Sequence, residues 1–526
     1  MANLADHLFR QARERGDKVA LIFERDVYRF ADIAERVKRI AGGLAEAGVG
    51  VGTRVGLMTH SRPEFIFFEY AIYALGAVVS PLNVFYRENE LLDAVAGSDL
   101  ECLVVGAEFA DRLPGREASG AETLKTILVL GERPDVVDPR VLWADSLVEA
   151  ATPIQEPTQI PDSSVALMLN TSATSGKAKG VMLSLANIQA NYDRTPNWLG
   201  LDAATVTLCA LPLYNTFGLN QCINASMVTG GTMVLMPRFD AAQCIGVIER
   251  HRCTFFPAVP TMLQKLFDHP DASRHDLTSV SRILTGAAPV PSPLLERVHA
   301  LMGRETVVMT GYGLTEGTAL VTLEHIALDD AGKLARPKSI GKALPGIDVR
   351  VFLEDGSEAA PGAVGEICMR GPNVMLGYYK RPEDTAAALA GGWLRTGDLG
   401  TFDAHGYGYI VDRKKDVIIR GGQNIYPAEV EEVIYHVPGV REVAVIGAPH
   451  AVLGETPVAY VAVDPSRSIS AESLIEHCEK RMAYFKAPTR ICFLPELPKG
   501  PTGKILKRRL RSIWRERYGE ESGRGS

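Results

Sequence analysis

The stretch LNTSATSGKAKGVMLS, Leu169 to Ser184, decides how the rest of the chain is read. It is rich in hydroxyls, carries two lysines and lies between apolar runs. The residues just before it, VALMLN, read as a buried strand, so Thr171, Ser172, Thr174, Ser175, Gly176 and Lys179 arrive at a strand end. Hydroxyls and backbone N–H groups can surround phosphate oxygens there, and lysine supplies the compensating charge. The P-loop pattern GxxxxGK[ST] fails, because Thr171 occupies its first glycine position and Ala178 follows Lys177. Alone, the stretch is equally well described as a polar Ser/Thr/Gly turn, with Ala173 in its middle.

Apolar β-branched runs alternate with helical patterns over most of the chain. RVGLMT precedes a helix near Phe65, ENELLDAVAGS precedes LECLVVG, and TVTLCALPL, GTMVLMP and CTFFPAVP read as buried strands. This alternation predicts an α/β fold with largely parallel sheets. FIFFEYAIYALGAVVSPL, interrupted by Glu69, Gly76 and Pro81, reads as a buried helix running into a strand and not as a membrane span. The Pro- and Asp-rich segment Gly131 to Ser164 reads as a surface loop leading to the opening stretch.

Beyond about Asp398 the pattern changes to short strands, a Gly-Gly turn and an acidic amphipathic helix in GYGYIVDRKKDVIIRGGQNIYPAEVEEVIYHVPGV. REVAVIGA and PVAYVAV read as strands, and SAESLIEHCEKRM as a helix with Ser470 near its cap. These features predict a separate α+β domain, with residues 1–412 before it, a boundary at 413–415, and 416–526 within it. The basic tail KILKRRLRSIWRERYGEES reads as a closing helix with Leu506, Leu510, Ile513 and Trp514 on one face.

The bulk properties agree. The 526 residues exceed one compact core, and 46% hydrophobic with 23% charged residues is ordinary for a soluble globular chain. A net charge of -7 offers no electrostatic reason to expect a nucleic-acid partner. The eight cysteines include no CxxC pair, which disfavours a disulfide framework or a zinc cluster. The N-terminus has charge throughout and no apolar stretch of signal-peptide length. A cytoplasmic protein with no stable membrane insertion is expected.

The motifs taken together resemble those of the adenylate-forming superfamily, which holds the acyl-CoA synthetases, the luciferases and the adenylation domains of peptide synthetases. Its signature loop [ST]-S-G-[ST]-[ST]-G-x-P-K-G is matched by T-S-A-T-S-G-K-A-K-G. LPLYNTFG, TGAAPV, TGYGLTE, GEICMRGPNVMLGYY, WLRTGD, YIVDRKKDVIIRGGQNIYPAEVE and LPKGPTGKI follow in the family's order and cover nearly the whole chain. The resemblance implies a large N-terminal domain of stacked α/β sheets with a small β-barrel-like part, and a small mobile α+β C-terminal domain. It also implies an acid-thiol ligase acting through an acyl-adenylate, with ATP, Mg²⁺ and coenzyme A.

What the resemblance implies for single residues has a chemical reason in each case. Gly286, Ala287 and Ala288 would let a flat purine lie close to the backbone, and Tyr312 would offer it an aromatic face. Thr315 would donate to the α-phosphate, and Glu316 is a hard oxygen ligand suited to Mg²⁺ held with substrate phosphates. Asp398 would accept from the ribose hydroxyls, helped by Arg413. Lys504 would bridge the attacking carboxylate and the α-phosphate and relieve their repulsion. Lys415 would be the hinge, turning a pose that presents Lys504 into one that presents Gly421 and Gly422 to the pantetheine arm of coenzyme A.

Tyr214, Asn215 and Gly311 fall in the segments that line the acyl pocket. Many family members carry histidine where this chain has Asn215, which hydrogen-bonds but does not titrate near neutral pH. The recognised pocket segments hold no basic residue to pair a second carboxylate, so a largely apolar, bulky monocarboxylic acid is expected.

Three functions remain open on the sequence. The first is a coenzyme A ligase whose adenylation step is impaired by Ala173 and Ala178, alongside a complete ATP-dependent synthetase. The second is an adenylation enzyme loading a free-standing carrier protein; no carrier segment follows TGKI, which points to coenzyme A. The third is an inactive nucleotide or acyl-adenylate binder, against which Thr315, Glu316, Asp398 and Lys504 stand.

Overall fold

The computed structural model describes residues 1–132, 138–171, 179–286, 292–329, 333–499 and 505–518. The chain divides into two compact units, Met1–Val349 with Met369–Arg395, and Arg350–Cys368 with Thr396–Ser526. Compactness thus places 350–368 and 396–412 with the C-terminal residues.

Two large sheets run through the first unit. In one, the strands Val141–Trp143, Thr126–Leu130, Cys102–Gly106, Arg54–Met58, Val78–Pro81 and Val165–Thr171 lie side by side and parallel. Lys179–Ser184 and then Gly377–Tyr378 close that edge antiparallel. The other sheet has the parallel strands Val307–Gly311, Arg282–Gly286, Phe255–Ala258, Val206–Cys209, Thr232–Leu235 and Val19–Phe23. Strands covered on both faces need apolar side chains throughout, which is why RVGLMT, LECLVVG and CTFFPAVP carry no alternation. Their side chains belong to one apolar core with those of the helices Phe30–Glu46 and Pro63–Ala74.

The segment 131–164 departs from the expected surface loop. Val141–Trp143 joins the sheet edge and Ala144–Ala150 forms a helix, because Val141, Leu147 and Val148 pack on the core. Among the described residues no helix is long and apolar enough to cross a membrane. All eight cysteines are buried, and none of them is joined in a disulfide.

In the second unit, Leu394–Phe402 and Gly408–Arg413 pair antiparallel, and Gly365–Arg370 is the next hydrogen-bonded neighbour. The long hairpin of Val440–His450 and Gly454–Val463 is the centre of the C-terminal sheet. Its period of two sends Val443, Val445, Ala459 and Val461 to one face, with the helices Pro427–Tyr435 and Ala471–Glu479. Ala444, Ile446, Val458 and Tyr460 take the other face, against Leu510 of the helix Lys507–Tyr518. Ser470 caps its helix, accepting from Ser473 N at 3.1 Å. Ile513 and Trp514 pack beside Leu510 as the tail pattern predicts, but Leu506 precedes the helix and is exposed.

The helix Pro63–Ala74 is buried on every face, Glu64 alone being partly exposed. Burial pushes the Glu69 carboxyl up to about 8, opposed by a hydrogen bond from Tyr73, and Oε2 has no partner among the described residues. A carboxyl raised in this way keeps its proton in the folded chain and loses it at the ordinary value, 4.5, when unfolded. The associated stability is therefore complete below the unfolded value and lost as pH rises towards the folded one. Glu69→Gln, neutral throughout, escapes the loss. In thermal melts its Tm, measured against the parent, should rise progressively between about pH 5 and about pH 8. A Tm difference independent of pH would contradict a protonated Glu69.

Candidate active site

The opening stretch is described at its two ends. Val165–Thr171 and Lys179–Ser184 pair antiparallel, with Thr171 opposite Lys179 and Thr171 Oγ1 donating to Lys179 O at 3.4 Å. The expected phosphate-loop residues Ser172, Ala173, Thr174, Ser175 and Gly176 lie outside the described residues, as do Ala178, Ala287, Ala288 and Lys504.

Around Lys179 the structure assembles a charged group that the sequence motifs identify only in part. Lys179 Nζ lies 2.9 Å from Asp384 Oδ1 and 4.8 Å from the centroid of the Tyr378 ring. The Tyr378 hydroxyl donates to Glu316 Oε1 at 2.9 Å, and Met375 N donates to Glu316 O at 2.9 Å. Burial, with the Glu316 charge next in size, pushes the Tyr378 phenol well above its ordinary value, so it stays a donor. Tyr378 belongs to the quoted motif ending in GYY, but nothing in that spacing announces a partner for Glu316. Asp384, in RPEDT, carries no motif signal at all.

Thr315, Glu316 and Gly317 form a single 3₁₀ turn, closed by Thr318 N donating to Thr315 O at 3.0 Å. Thr318 takes a left-handed backbone, and Asn373 Nδ2 donates to Gly317 O at 2.8 Å. The turn is thus fixed from outside, and the directions of Thr315 and Glu316 are set by the strand-edge segment 373–378.

Gly286 and Gly311 end adjacent parallel strands and stand opposite one another. Gly311 has a structural cause of its own: a Cβ there would meet Thr322 O at 2.4 Å and Leu320 Cδ1 at 2.7 Å. Tyr312 follows, its N–H donating to Thr322 Oγ1 at 3.1 Å.

Tyr214 is buried, and its hydroxyl has no partner among the described residues. Burial, with Tyr86 nearby, pushes this phenol up to about 12. Asn215 precedes the short helix Thr216–Gly218, which runs into a turn of π-helix, Leu219–Asn224. Periodicity does not signal such an insertion, which is a frequent companion of functional sites. Asn220 Nδ2 donates to Thr195 Oγ1 at 3.1 Å, and Asn191 Nδ2 donates to Leu320 O at 2.6 Å.

In the second unit, Asp398 and Arg413 face each other across the antiparallel pair, with Arg413 Nε 2.6 Å from Asp398 Oδ1. Asp398 is buried while Arg413 reaches solvent, so a carboxylate and its counter-charge are held at one strand pair. Lys415 lies in the 3₁₀ turn Lys414–Asp416, and burial lowers its pKa. Its neighbours are tied down: Lys414 to Glu366 at 3.0 Å and Asp416 to Arg511 at 2.8 Å. Gly421 and Gly422 are the two turn residues of a tight hairpin between Arg420 and Gln423, with φ of +56° and +81°. Both positive values are those a two-residue hairpin turn requires, so the pair is a hairpin turn whatever else it does.

Among the described residues no group of three or more His, Cys, Asp or Glu side chains could hold a metal ion. Glu316 is the candidate single ligand. Its Oε1 accepts from Tyr378, and a carboxylate so oriented is a donor compatible with an ion completed by substrate phosphates and water.

Residues 8–379 match the family of AMP-binding enzymes, and residues 429–504 match the AMP-binding enzyme C-terminal domain. A long-chain-fatty-acid–CoA ligase of Bacillus subtilis (strain 168) is 33% identical over 518 residues, covering 94% of this chain and 91% of that protein. A feruloyl-CoA synthase of an Amycolatopsis species is 34% identical over 484 residues, covering 92% and 93%. The crystal structure of ATP-bound MatB from Rhodopseudomonas palustris superposes with a TM-score of 0.87 at 30% identity, covering 98% of this chain and all of that one. With its α/β sheets, its separate C-terminal unit and these relatives, the chain belongs to the AMP-binding enzyme family, in the acyl-CoA ligase branch of the adenylate-forming superfamily.

Proposed function

We propose that the protein forms acyl-CoA thioesters from acyl-adenylates and coenzyme A, with the preceding adenylation step impaired. The observation that carries this is the loop T-S-A-T-S-G-K-A-K-G, in which Ala173 and Ala178 replace a glycine and a proline of the family's pattern. If the family's glycine adopts φ > 0, alanine there costs about 1–2 kcal/mol. Losing the proline frees the unbound loop at about 0.4–1 kcal/mol. Both costs fall where the loop closes over the β- and γ-phosphates, which an acyl-adenylate lacks.

In the adenylation step Thr315 donates to the α-phosphate, Asp398 and Arg413 hold the ribose, and Lys504 bridges the attacking carboxylate and the phosphate. Mg²⁺, held by Glu316 together with the phosphates, would neutralise charge on the triphosphate. In the second step the small domain turns about Lys415, and the Gly421–Gly422 hairpin lines the path of the pantetheine arm. The acid is a largely apolar, bulky monocarboxylate received beside Tyr214, Asn215 and Gly311. A panel of such acids read by thermal shift identifies it, since a ligand at a hundred times its Kd adds about 2.7 kcal/mol of stability.

The retained Lys504 favours a second reading, a complete ATP-dependent synthetase, because that lysine would serve mainly adenylation. The deciding experiment supplies acid, ATP and Mg²⁺ and follows pyrophosphate, with acyl-adenylate plus coenzyme A or a carrier protein in parallel. Ala173→Gly with Ala178→Pro should raise adenylation about tenfold or more and leave the transfer to coenzyme A nearly as it was. Robust adenylation by the unaltered chain, unimproved by the double change, establishes the complete synthetase instead. Transfer to the carrier in preference to coenzyme A would establish a loading enzyme.

A further inference from the structure

The lysine that ends the phosphate-loop stretch is already paired. Lys179 Nζ sits 2.9 Å from Asp384 Oδ1 and over the face of Tyr378, whose hydroxyl donates to Glu316. Asp384 lies in the first turn of the helix Pro382–Ala388, and Thr385 of the same turn accepts from Tyr378 N at 2.9 Å through Oγ1. One ammonium, one phenol and two carboxylates from three separate chain segments therefore form a single charged group.

We propose that Asp384 is a positioning residue that selects against ATP. It holds Lys179 away from the terminal phosphates, and Lys179 exchanges Asp384 for phosphate only when a triphosphate displaces it. The proposal rests on reading Leu169–Ser184 as a phosphate loop. An ammonium held by a carboxylate must leave that carboxylate to neutralise phosphate, and the carboxylate left behind repels the polyphosphate. AMP and acyl-adenylates carry no β- or γ-phosphate, so they do not meet this competition. Asp384 acts through charge, in the direction proposed above for Ala173 and Ala178. Both partners are partly exposed, which limits the effect to about fivefold in affinity, the size of a partly screened ion pair.

The test is calorimetric titration of ATP and of AMP, each with Mg²⁺, onto the full chain and its Asp384→Asn and Asp384→Glu variants. Asparagine should tighten ATP about fivefold while the Kd for AMP stays put, and glutamate should restore the weaker ATP binding. Adenylation assays should show the same gain in KM for ATP and not in kcat. A residue that merely caps its helix would change the Tm and leave the ratio of ATP to AMP affinity alone. An unmoved ATP affinity, equal shifts for ATP and AMP, or no ATP binding by either chain overturns the proposal. Robust adenylation by the unaltered chain would defeat the impaired-step reading while leaving this ratio free to move, so the two failures are distinguishable.

Discussion

Lys504→Ala should lower the ATP-dependent formation of acyl-adenylate by about a hundredfold to a thousandfold, the loss typical when one preorganised charge is removed from a transition state. Transfer from preformed acyl-adenylate to coenzyme A should change by no more than a few-fold. The asymmetry follows from where charge accumulates. In the first step a carboxylate attacks the α-phosphorus, so two negative groups must approach, and a cation bridging them is most valuable at closest approach. In the second step a thiol displaces AMP from an acyl carbon, and no second anion is driven onto the phosphate. The measurement is cleanest in the Ala173→Gly, Ala178→Pro background, where the starting rate of adenylation is expected to be higher. Lys504→Arg keeps the charge but replaces a point cation with a planar fork, and should recover only part of the loss. Equal loss in both half-reactions would remove Lys504 from its assigned role, since a general weakening of nucleotide binding would then explain it.

How far the sequence carried the fold can be judged element by element. Strands such as Cys102–Gly106 and Phe255–Ala258 were legible because burial on both faces demands unbroken apolar runs between turn residues. The C-terminal hairpin was legible because REVAVIGA and PVAYVAV supply two apolar strands, each serving both of its faces. The π-turn Leu219–Asn224 was not, since one inserted residue shifts helical phase without changing composition. In the segment 131–164, proline and aspartate masked a short strand and helix held in place by core contacts distant in sequence.

The candidate site divides along the same line. Asp398 and Arg413 stand 15 positions apart in the chain, yet each lies in a quoted motif, and the antiparallel pair brings them to 2.6 Å. Asp384 and Lys179 meet only because Gly377–Tyr378 docks on Lys179–Ser184, an edge pairing that no local pattern specifies. Gly311 falls in a segment expected to line the acyl pocket, and the structure adds a closer cause for the glycine in the carbonyl of Thr322. Long-range pairing decides such contacts, and a motif only marks where one partner sits.

Gly422→Leu should give the opposite profile to the lysine change: acyl-adenylate still binds, and thioester formation falls by about a hundredfold. The size is what a misplaced reacting group costs when its approach is blocked. Two effects must be separated, because the glycine has φ of +81° and any side chain there strains the turn by about 1–2 kcal/mol. Among the described residues a Cβ at Gly422 would meet no atom within 4 Å, so they raise no steric objection to a short side chain. Gly422→Ala carries the same backbone strain as leucine but little bulk. If the open space beside the turn is the pantetheine path, alanine should cost only the strain, visible as a modest fall in Tm and a small loss of transfer. Leucine should show that same fall in Tm together with the large loss of transfer and a raised KM for coenzyme A. A short thiol acceptor, which does not need the length of the path, should rescue the leucine variant in part. Alanine and leucine equal in transfer rate would assign the loss to the turn's conformation, and wild-type transfer in both would take Gly422 off the path altogether.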